Sequence, residues 1–148
     1  MSAPIACLGA GRMGRGIAIV FAYAGHPVSL IDFKPRDAAG FAALAEDARA
    51  EITNTLQMMS RFGMFDADLV PAIAARVSVV AEADAGAALA TAEVVFEGFP
   101  EVPELKREAL ARAEALMAPG AILASTTSTI LVDDLSGALA RPGQFLNA

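Results

Sequence analysis

A glycine-rich turn at residues 9–14 restricts the fold of this chain more than any other feature. It follows the apolar run Ile5–Leu8, opens a helical pattern from Arg12 to Ala24, and has the spacing GxGxxG. In such a strand-to-helix turn, the first glycine permits the bend, the second lets the backbone approach a phosphate, and the third lets the helix pack on the strand. The first helical turn presents free N–H groups to an anion, so the pattern predicts a dinucleotide-binding site; the alternative is a turn without a ligand. The turn consists of Gly9, Ala10, Gly11, Arg12, Met13 and Gly14.

A carboxylate at the end of the second apolar run indicates which dinucleotide would bind. Val28–Ile31 is followed by Asp32, 18 residues after Gly14. A carboxylate at this distance accepts hydrogen bonds from the adenosine ribose and repels a 2′-phosphate, which favours NAD over NADP. Lys34 and Arg36 could offset that repulsion, although they also fit an ordinary solvated turn.

Strand-like and helical segments alternate along the whole chain. This alternation predicts an α/β fold with a mostly parallel sheet, doubly wound in the Rossmann manner, with helices on both faces. The strands are continuously apolar, as in sheets that are covered on both sides. Beyond the first two strands, the pattern predicts helices at 38–62, 67–75, 83–90, 103–117 and 131–139, and strands at 77–80, 93–97, 121–124 and from 144.

Composition excludes several classes of function. The chain has 148 residues, enough for one domain, and its net charge of −6 argues against a nucleic-acid partner. Cys7 is the single cysteine, so no internal disulfide or conventional zinc site is expected, and its place in the first strand predicts a buried thiol. No segment resembles a targeting signal or has the length of a membrane span, so the cytoplasm is the default location. The 55% of hydrophobic residues indicates either alanine-rich helical surfaces or a surface that a second domain or subunit covers.

Candidate ligand-binding residues follow the strands, because ligands of open parallel sheets bind beyond the carboxyl ends of the strands. Besides the glycine turn and Asp32, the segments Glu97–Glu101 and Ser125–Thr129 occupy such positions. The two end glutamates of the first segment fit an acid–base pair or ordinary loop and helix-start acids, and nothing local favours catalysis. The five hydroxyl residues of the second segment fit a donor and acceptor ring near a nicotinamide or a polar turn with a helix cap. His26 lies at the opposite edge of the predicted sheet.

Four blocks of sequence resemble one known family. They are the opening turn Gly9–Ala18, the second strand with its Gly-His pair Gly25–Asp32, the segment Glu97–Lys106, and the run Ala124–Thr129. The third block matches the spacing Glu-Ala-x-x-Glu-x-x-x-x-Lys, and the fourth resembles Ala-Ser-Asn-Thr-Ser-Ser/Thr. With these blocks the chain resembles, over essentially its whole length, the nucleotide-binding domain of the L-3-hydroxyacyl-CoA dehydrogenase family, including its 3-hydroxybutyryl-CoA members.

The resemblance implies a function and roles for individual residues. It implies hydride transfer between NAD and the 3-hydroxyl carbon of a small-molecule hydroxyacyl-CoA substrate. Asp32 would bind the adenosine ribose, and Glu101 and Lys106 would contact NAD. Ser128 would lie beside the nicotinamide and hydrogen-bond the reacting oxygen of the substrate, which makes it the one catalytic candidate in this chain.

Departures from the family pattern keep other functions open. Thr126 replaces the family's Asn, and this change concerns the contacts expected near the nicotinamide. A separate departure concerns the substrate: residues 38–59 contain no Lys and only Arg49, where the family usually carries lysines that help bind CoA phosphates. A hydroxy acid without CoA, as in the related gulonate and carnitine dehydrogenases, therefore remains an alternative substrate.

The resemblance also implies parts that would follow this chain. The family's catalytic His would fall at position 149, one residue past Ala148, and a helical domain that closes the cleft and forms a homodimer would come after it. Residues 1–148 are accordingly expected to be an NAD-binding domain without activity of its own. A stand-alone module that binds a dinucleotide is the remaining alternative.

Overall fold

The computed structural model describes residues 2–148, and in that range six strands alternate with helices. Three single 3₁₀ turns occur at Ala67–Leu69, Glu82–Asp84 and Pro142–Gln144. The strands and α-helices are β1 (Ile5–Leu8), α1 (Arg12–Tyr23), β2 (Val28–Ile31), α2 (Ala38–Arg61), α3 (Val70–Ala74), β3 (Val77–Val80), α4 (Ala85–Thr91), β4 (Val94–Glu97), α5 (Pro103–Leu116), β5 (Ile122–Ser125), α6 (Val132–Ser136) and β6 (Phe145–Asn147).

All six strands belong to one parallel sheet in the order β3-β2-β1-β4-β5-β6. The predicted doubly wound Rossmann sheet is therefore confirmed. The order reverses between β1 and β4, which is where open α/β sheets form a ligand-binding crevice. Leu8 at the end of β1 pairs with Ile31 on one side and with Glu97 on the other, and Glu97 pairs with Ser125. The carboxyl ends of four strands therefore lie level along one edge.

Two hydrophobic layers cover the two faces of the sheet. Ile5 and Cys7 of β1 pack with α1, α2 and α3, whereas Ala6 and Leu8 pack with α4, α5 and α6. Successive side chains of a strand point to opposite faces, so a strand that is covered on both sides must be apolar throughout. This explains why the strands show continuous apolar runs instead of alternation.

The predicted segments agree with the structure to within about one residue at most ends, but three helices are shorter than predicted. The helix predicted at 131–139 is one of them, because α6 spans only Val132–Ser136. The predicted helix at 67–75 begins as a 3₁₀ turn, and α3 then starts at Val70 with Pro71 in its first turn. Proline has no N–H to continue a preceding helix and fits only a first turn. The predicted helix at 83–90 likewise begins with a 3₁₀ turn, which ends at Asp84.

None of the helices within residues 2–148 combines the length and the apolar character that crossing a lipid bilayer requires.

Chemical labelling of Cys7 can test how tightly the central strand β1 is packed. Its side chain is fully buried, and this burial raises the pKa of the thiol to about 12. Because thiolates are the reactive species, iodoacetamide at mildly alkaline pH should leave the native protein unlabelled and label it fully in denaturant. Mass spectrometry of both samples provides the measurement, and rapid labelling of the native protein would contradict the packing of β1.

Candidate functional site

A cavity of about 730 Å³ opens at the carboxyl edge of the sheet, where the strand order reverses. Its walls come from the glycine turn after β1 and from the loops after β2, β4 and β5. The fold thus brings together segments that are up to 120 residues apart in sequence. Among the lining residues are Gly9, Ala10, Gly11, Arg12, Met13, Asp32, Lys34, Arg36, Gly98, Phe99, Pro100, Glu101, Thr126 and Ser128.

Three glycines of the turn have different physical roles. Gly9 adopts a φ of +95°, a conformation that other residues rarely take. A Cβ on Gly14 would lie 1.9 Å from the carbonyl oxygen of Gly9, so only glycine lets α1 approach the turn this closely. A Cβ on Gly11 would meet nothing within 4 Å, because this residue borders the open cavity. Within residues 2–148 no side chain caps α1 at its N-terminus, so the first N–H groups of the helix are available to an anion.

Arg15 fixes the glycine turn to α2, a role that sequence analysis missed. Its Nε donates to the carbonyl oxygen of Ala10 at 2.8 Å, and its Nη1 donates to Asp47 at 2.8 Å and to Glu51. Burial disfavours the charge of Arg15, but the two carboxylates outweigh it and raise the pKa of the guanidinium. The only available signal was an arginine one turn into α1 together with two acids four residues apart on the next helix.

Asp32 lies at the β2 side of the cavity and is held by an ion pair. Its carboxylate is nearly buried, and Nε of Arg36 donates to its Oδ2 at 2.5 Å. Arg36 is exposed and pairs with Asp32, whereas Lys34 lines the cavity and forms no ion pair among the described residues. The other oxygen, Oδ1, meets no hydrogen-bond donor within residues 2–148 and is free to accept from a ribose hydroxyl.

Glu101 anchors the hydroxyl run that follows β5. Its Oε2 accepts hydrogen bonds from Oγ1 of Thr129 at 2.7 Å and of Thr127 at 2.9 Å. These bonds and the charge of Lys106 lower the pKa of Glu101 to about 2, and the hydrogen bond from Thr129 makes the largest contribution. A carboxyl group with so low a pKa has no proton to donate near neutral pH and is only weakly basic, which argues against an acid–base pair of Glu97 and Glu101.

Lys106 lies beneath the cavity wall, with 1% of its surface exposed. Its Nζ contacts Oε1 of Glu97 at 2.8 Å, the carbonyl oxygen of Phe99 at 2.9 Å and Oε1 of Glu101 at 3.3 Å. The first two contacts are hydrogen bonds, and the third is an ion pair. The expected contact of Lys106 with NAD remains a prediction. In the structure, Lys106 pairs with Glu101 and so helps to hold that carboxylate in place.

Within the described residues the hydroxyl run forms a polar turn, in which Oγ1 of Thr127 accepts from the backbone N–H of Ile130, but it does not cap the next helix, so only the predicted helix cap is wrong. α6 begins at Val132, its N-cap position is Leu131, and no side chain caps it. Ser128 is exposed and lines the cavity, between two threonines that bind Glu101. The hydroxyl groups of Ser125, Thr127 and Thr129 bond to glutamates of this chain, whereas Thr126 and Ser128 line the cavity. A ring of donors and acceptors near a nicotinamide remains a prediction.

His26 lies at the amino edge of the sheet, as the sequence predicts. Its Nδ1 is 2.9 Å from the carbonyl oxygen of Ala3, and its ring packs edge-on against Phe21. It is not among the residues that line the cavity.

Two glycine substitutions separate packing from ligand binding. Gly14→Ala should destabilise the protein by about 1–3 kcal/mol, because the new methyl group overlaps the backbone of Gly9. Gly11→Ala, the matched control, should leave the melting temperature nearly unchanged and weaken dinucleotide binding, because its methyl group projects into open space beside the cavity. Thermal unfolding and fluorescence titration measure the two effects; equal melting temperatures for both variants would contradict the close approach at Gly14.

The low pKa of Glu101 predicts that the stability of the folded protein depends on pH. Its folded-state pKa of about 2 is below the ordinary 4.5, so its contribution to stability is complete above about pH 4.5 and is lost as the pH falls towards 2. Thr129→Val removes the strongest of the hydrogen bonds and should raise the pKa of Glu101 towards its ordinary value. An NMR titration of the carboxyl carbon checks this. Thr91→Val is the control, because the Thr91 hydroxyl bonds only to carbonyls of its own helix, and an unchanged pKa in Thr129→Val would refute the assignment.

Comparison with solved structures supports the architecture of this site. FadB2 of M. tuberculosis is 26% identical with a TM-score of 0.84, and the match covers 99% of this chain and 49% of that protein. 3-Hydroxybutyryl-CoA dehydrogenase of Escherichia coli K12 is 26% identical with a TM-score of 0.83, covering 99% and 29%. The NAD⁺-dependent 5-formyl-3-hydroxy-2-methylpyridine 4-carboxylic acid 5-dehydrogenase is 26% identical with a TM-score of 0.75, covering 99% and 44%. The chain thus spans about half the length, or less, of these proteins.

A family model described as 3-hydroxyacyl-CoA dehydrogenase, NAD binding domain, matches residues 4–148. The residues of the cavity fit NAD: the space beside Gly11 admits a pyrophosphate, and Asp32 offers a free carboxylate oxygen where a ribose would lie. The chain belongs to the NAD-binding domain family of the 3-hydroxyacyl-CoA dehydrogenases.

Proposed function

We propose that this chain is the NAD-binding half of an oxidoreductase that transfers a hydride between NAD and the 3-hydroxyl carbon of a hydroxyacyl-CoA. The observation that carries the proposal is the single cavity that joins the glycine turn, Asp32 and the pair Glu101 and Ser128. A Rossmann turn alone would fit many dehydrogenases, whereas the two loops after β4 and β5 match this family's pattern.

The order of the strands sets the direction of the dinucleotide in this cavity. Asp32 follows β2, Ser128 follows β5, and the glycine turn follows β1 between them. Three strand spacings of about 4.8 Å separate β2 from β5, roughly 14 Å in all, which suits an extended dinucleotide. The adenosine ribose would bind Asp32, the pyrophosphate would bind the turn, and the nicotinamide would lie near Glu101 and Ser128.

The residues near the nicotinamide end would orient the substrate and leave proton transfer to another group. NAD supplies the hydride acceptor when it is bound. The Ser128 hydroxyl would hydrogen-bond the reacting oxygen, while Glu101, with its pKa of about 2, would remain an anion. His26 lies at the far edge of the sheet, so we propose that an imidazole at about position 149 accepts the proton.

An apolar groove beside the cavity supports the proposal of a second domain. Met13 and Val20 of α1 are 51% and 61% exposed and, with Ile17 and Phe21, line a groove of about 520 Å³ that Ala148 also borders. We propose that a helical domain after residue 148 covers this groove, closes the cleft and forms a homodimer. Cytoplasmic location and a role in fatty acid metabolism belong to the same proposal, on the strength of the family.

The charge of α2 favours a second candidate substrate, a hydroxy acid without CoA. Where the family usually carries lysines for the CoA phosphates, this chain has only Arg49 in residues 38–59. Asp47 and Glu51 instead face a shallow groove along α2, and both carboxylates are partly exposed. Negative charge at this place would repel phosphates. The dehydrogenase of a pyridine carboxylic acid among the similar structures is consistent with such a substrate.

The isolated domain should bind the dinucleotide without catalysing a reaction. The 148-residue chain should bind NADH and show no detectable reduction of acetoacetyl-CoA, because Ser128 and Glu101 provide no general base. Fluorescence titration and an NADH oxidation assay measure the two properties. Turnover by the pure domain would refute the proposal that the proton acceptor lies outside these 148 residues. Failure to bind NADH would refute the proposed function itself.

Kinetic assays of the complete protein distinguish between the two candidate substrates. With NADH, it should reduce acetoacetyl-CoA with a higher kcat/KM than free 3-oxo acids. The reverse ratio would establish the second candidate. NADH binding without turnover on either class would favour a dinucleotide-binding module.

A further inference from the structure

We propose that Glu97 is a positioning residue for the nicotinamide end of the site, although it does not line the cavity. With four other residues it forms a ring that is closed by four hydrogen bonds and one ion pair, and we call this ring the carboxylate clamp: Glu97, Lys106, Glu101, Thr127 and Ser125. The clamp ties the loop after β4 to the loop after β5. This inference rests on the proposed function, because it assumes that the nicotinamide lies between those two loops.

Glu97 forms one half of the clamp and is fully buried at the end of β4. Its Oε1 accepts from the backbone N–H of Phe99 at 2.5 Å and from Nζ of Lys106 at 2.8 Å, and its Oε2 accepts from Oγ of Ser125 at 2.5 Å. The three donors belong to three parts of the fold, namely the loop after β4, helix α5 and strand β5. One carboxylate therefore connects all three.

The second half of the clamp returns through the hydroxyl run. Oγ of Ser125 accepts from the backbone N–H of Thr127 at 3.2 Å, and Oγ1 of Thr127 donates to Oε2 of Glu101 at 2.9 Å. Oε1 of Glu101 lies 3.3 Å from Nζ of Lys106, which closes the ring. Every link is a direct contact between residues of this chain.

The chemistry of Glu97 is specific to a carboxylate. An ionised carboxylate only accepts hydrogen bonds, whereas a Gln side chain has one accepting oxygen and a donating NH₂ group. Gln at position 97 would point a donor at Ser125 or Lys106 and would leave the Lys106 charge without its nearest partner. Since apolar groups often stabilise a core as well as a buried ion pair does, the arrangement suits positioning better than stability.

The clamp determines where the cavity-lining groups lie. Gly98 and Pro100 belong to the loop held by Glu97, and Thr126 and Ser128 belong to the loop held by Ser125 and Thr127. The distance between the Ser128 hydroxyl and the Glu101 carboxylate is thus set before a ligand binds. The glycine turn and the Asp32 end of the cavity contain no member of the clamp, although Gly98 and Phe99 pack near Gly9. Breaking the clamp should therefore affect the nicotinamide end of a bound dinucleotide more than the adenosine end.

Glu97→Gln in the complete protein tests this assignment with two probes, NADH and ADP-ribose, which lacks the nicotinamide. We expect the Kd for NADH to rise about tenfold, as for other supporting residues around a site, while the Kd for ADP-ribose changes by less than about twofold. If catalysis is measured, kcat should fall more than KM rises, because misplacement of reacting groups reduces the rate.

Glu114→Gln is the matched control. Glu114 is also a nearly buried glutamate, but it accepts from the backbone N–H groups of Ala140 and Arg141, both at 2.7 Å, and does not line the cavity. It should lower the melting temperature without changing the ratio of the two Kd values. If Glu97→Gln behaves in the same way, or weakens both probes equally, Glu97 has only a structural role and the proposal fails.

Ser125→Ala keeps the test decisive if Glu97→Gln does not fold. This substitution removes one hydroxyl group and with it the hydrogen bond between Ser125 and Glu97. We expect the same shift in the ratio of the Kd for NADH to the Kd for ADP-ribose. An unchanged ratio would overturn the proposal. Wild-type protein that binds neither probe would instead refute the proposed function. Wild-type protein that binds both, with no shift in the folded variants, would overturn the clamp alone.

Discussion

The contact of α1 with the turn after β1 is the constraint on which the rest of this structure depends. At Gly14 the helix approaches the carbonyl oxygen of Gly9 so closely that any side chain would collide with it. This approach directs the first turn of α1, with its free N–H groups, towards the edge where the strand order reverses. A helix farther from the strand would direct those groups elsewhere, and the cavity would lose its anion-binding end.

Buried charges hold the walls of the cavity around this contact. Arg15 joins the glycine turn to α2, and the pair Glu97 and Lys106 joins the loops after β4 and β5. An uncompensated buried charge is costly, so each of these groups has an opposite charge and further hydrogen bonds. The chain places these networks at the carboxyl edge of the sheet, where loops need support that regular secondary structure does not provide.

The cavity carries opposite charges at its adenosine end. A carboxylate at the position of Asp32 is expected to favour a ribose with a free 2′-hydroxyl, and this expectation agrees with the NAD-binding family to which the chain belongs. Arg36 neutralises part of that carboxylate and restrains its orientation, while Lys34 adds a second positive charge nearby. Asp32 is therefore one member of a charged group, and we propose that its remaining free oxygen accepts a hydrogen bond from a ribose hydroxyl.

Local patterns in the sequence were sufficient for the fold and for part of the site. The glycine turn, Asp32 and the limits of most strands and helices follow from spacing and apolar runs, which depend on neighbouring residues only. The family pattern added Glu101, Lys106 and Ser128 as expected site residues, of which the structure places Glu101 and Ser128 at the cavity. Tertiary structure alone decided which charges meet: Arg15 reaches acids 32 and 36 residues away, and Ser125 reaches Glu97 across 28 residues. It also decided that the hydroxyl run binds glutamates instead of capping a helix. The physical reason is that such contacts depend on which strands become neighbours in the sheet, and no local preference of the chain encodes that proximity.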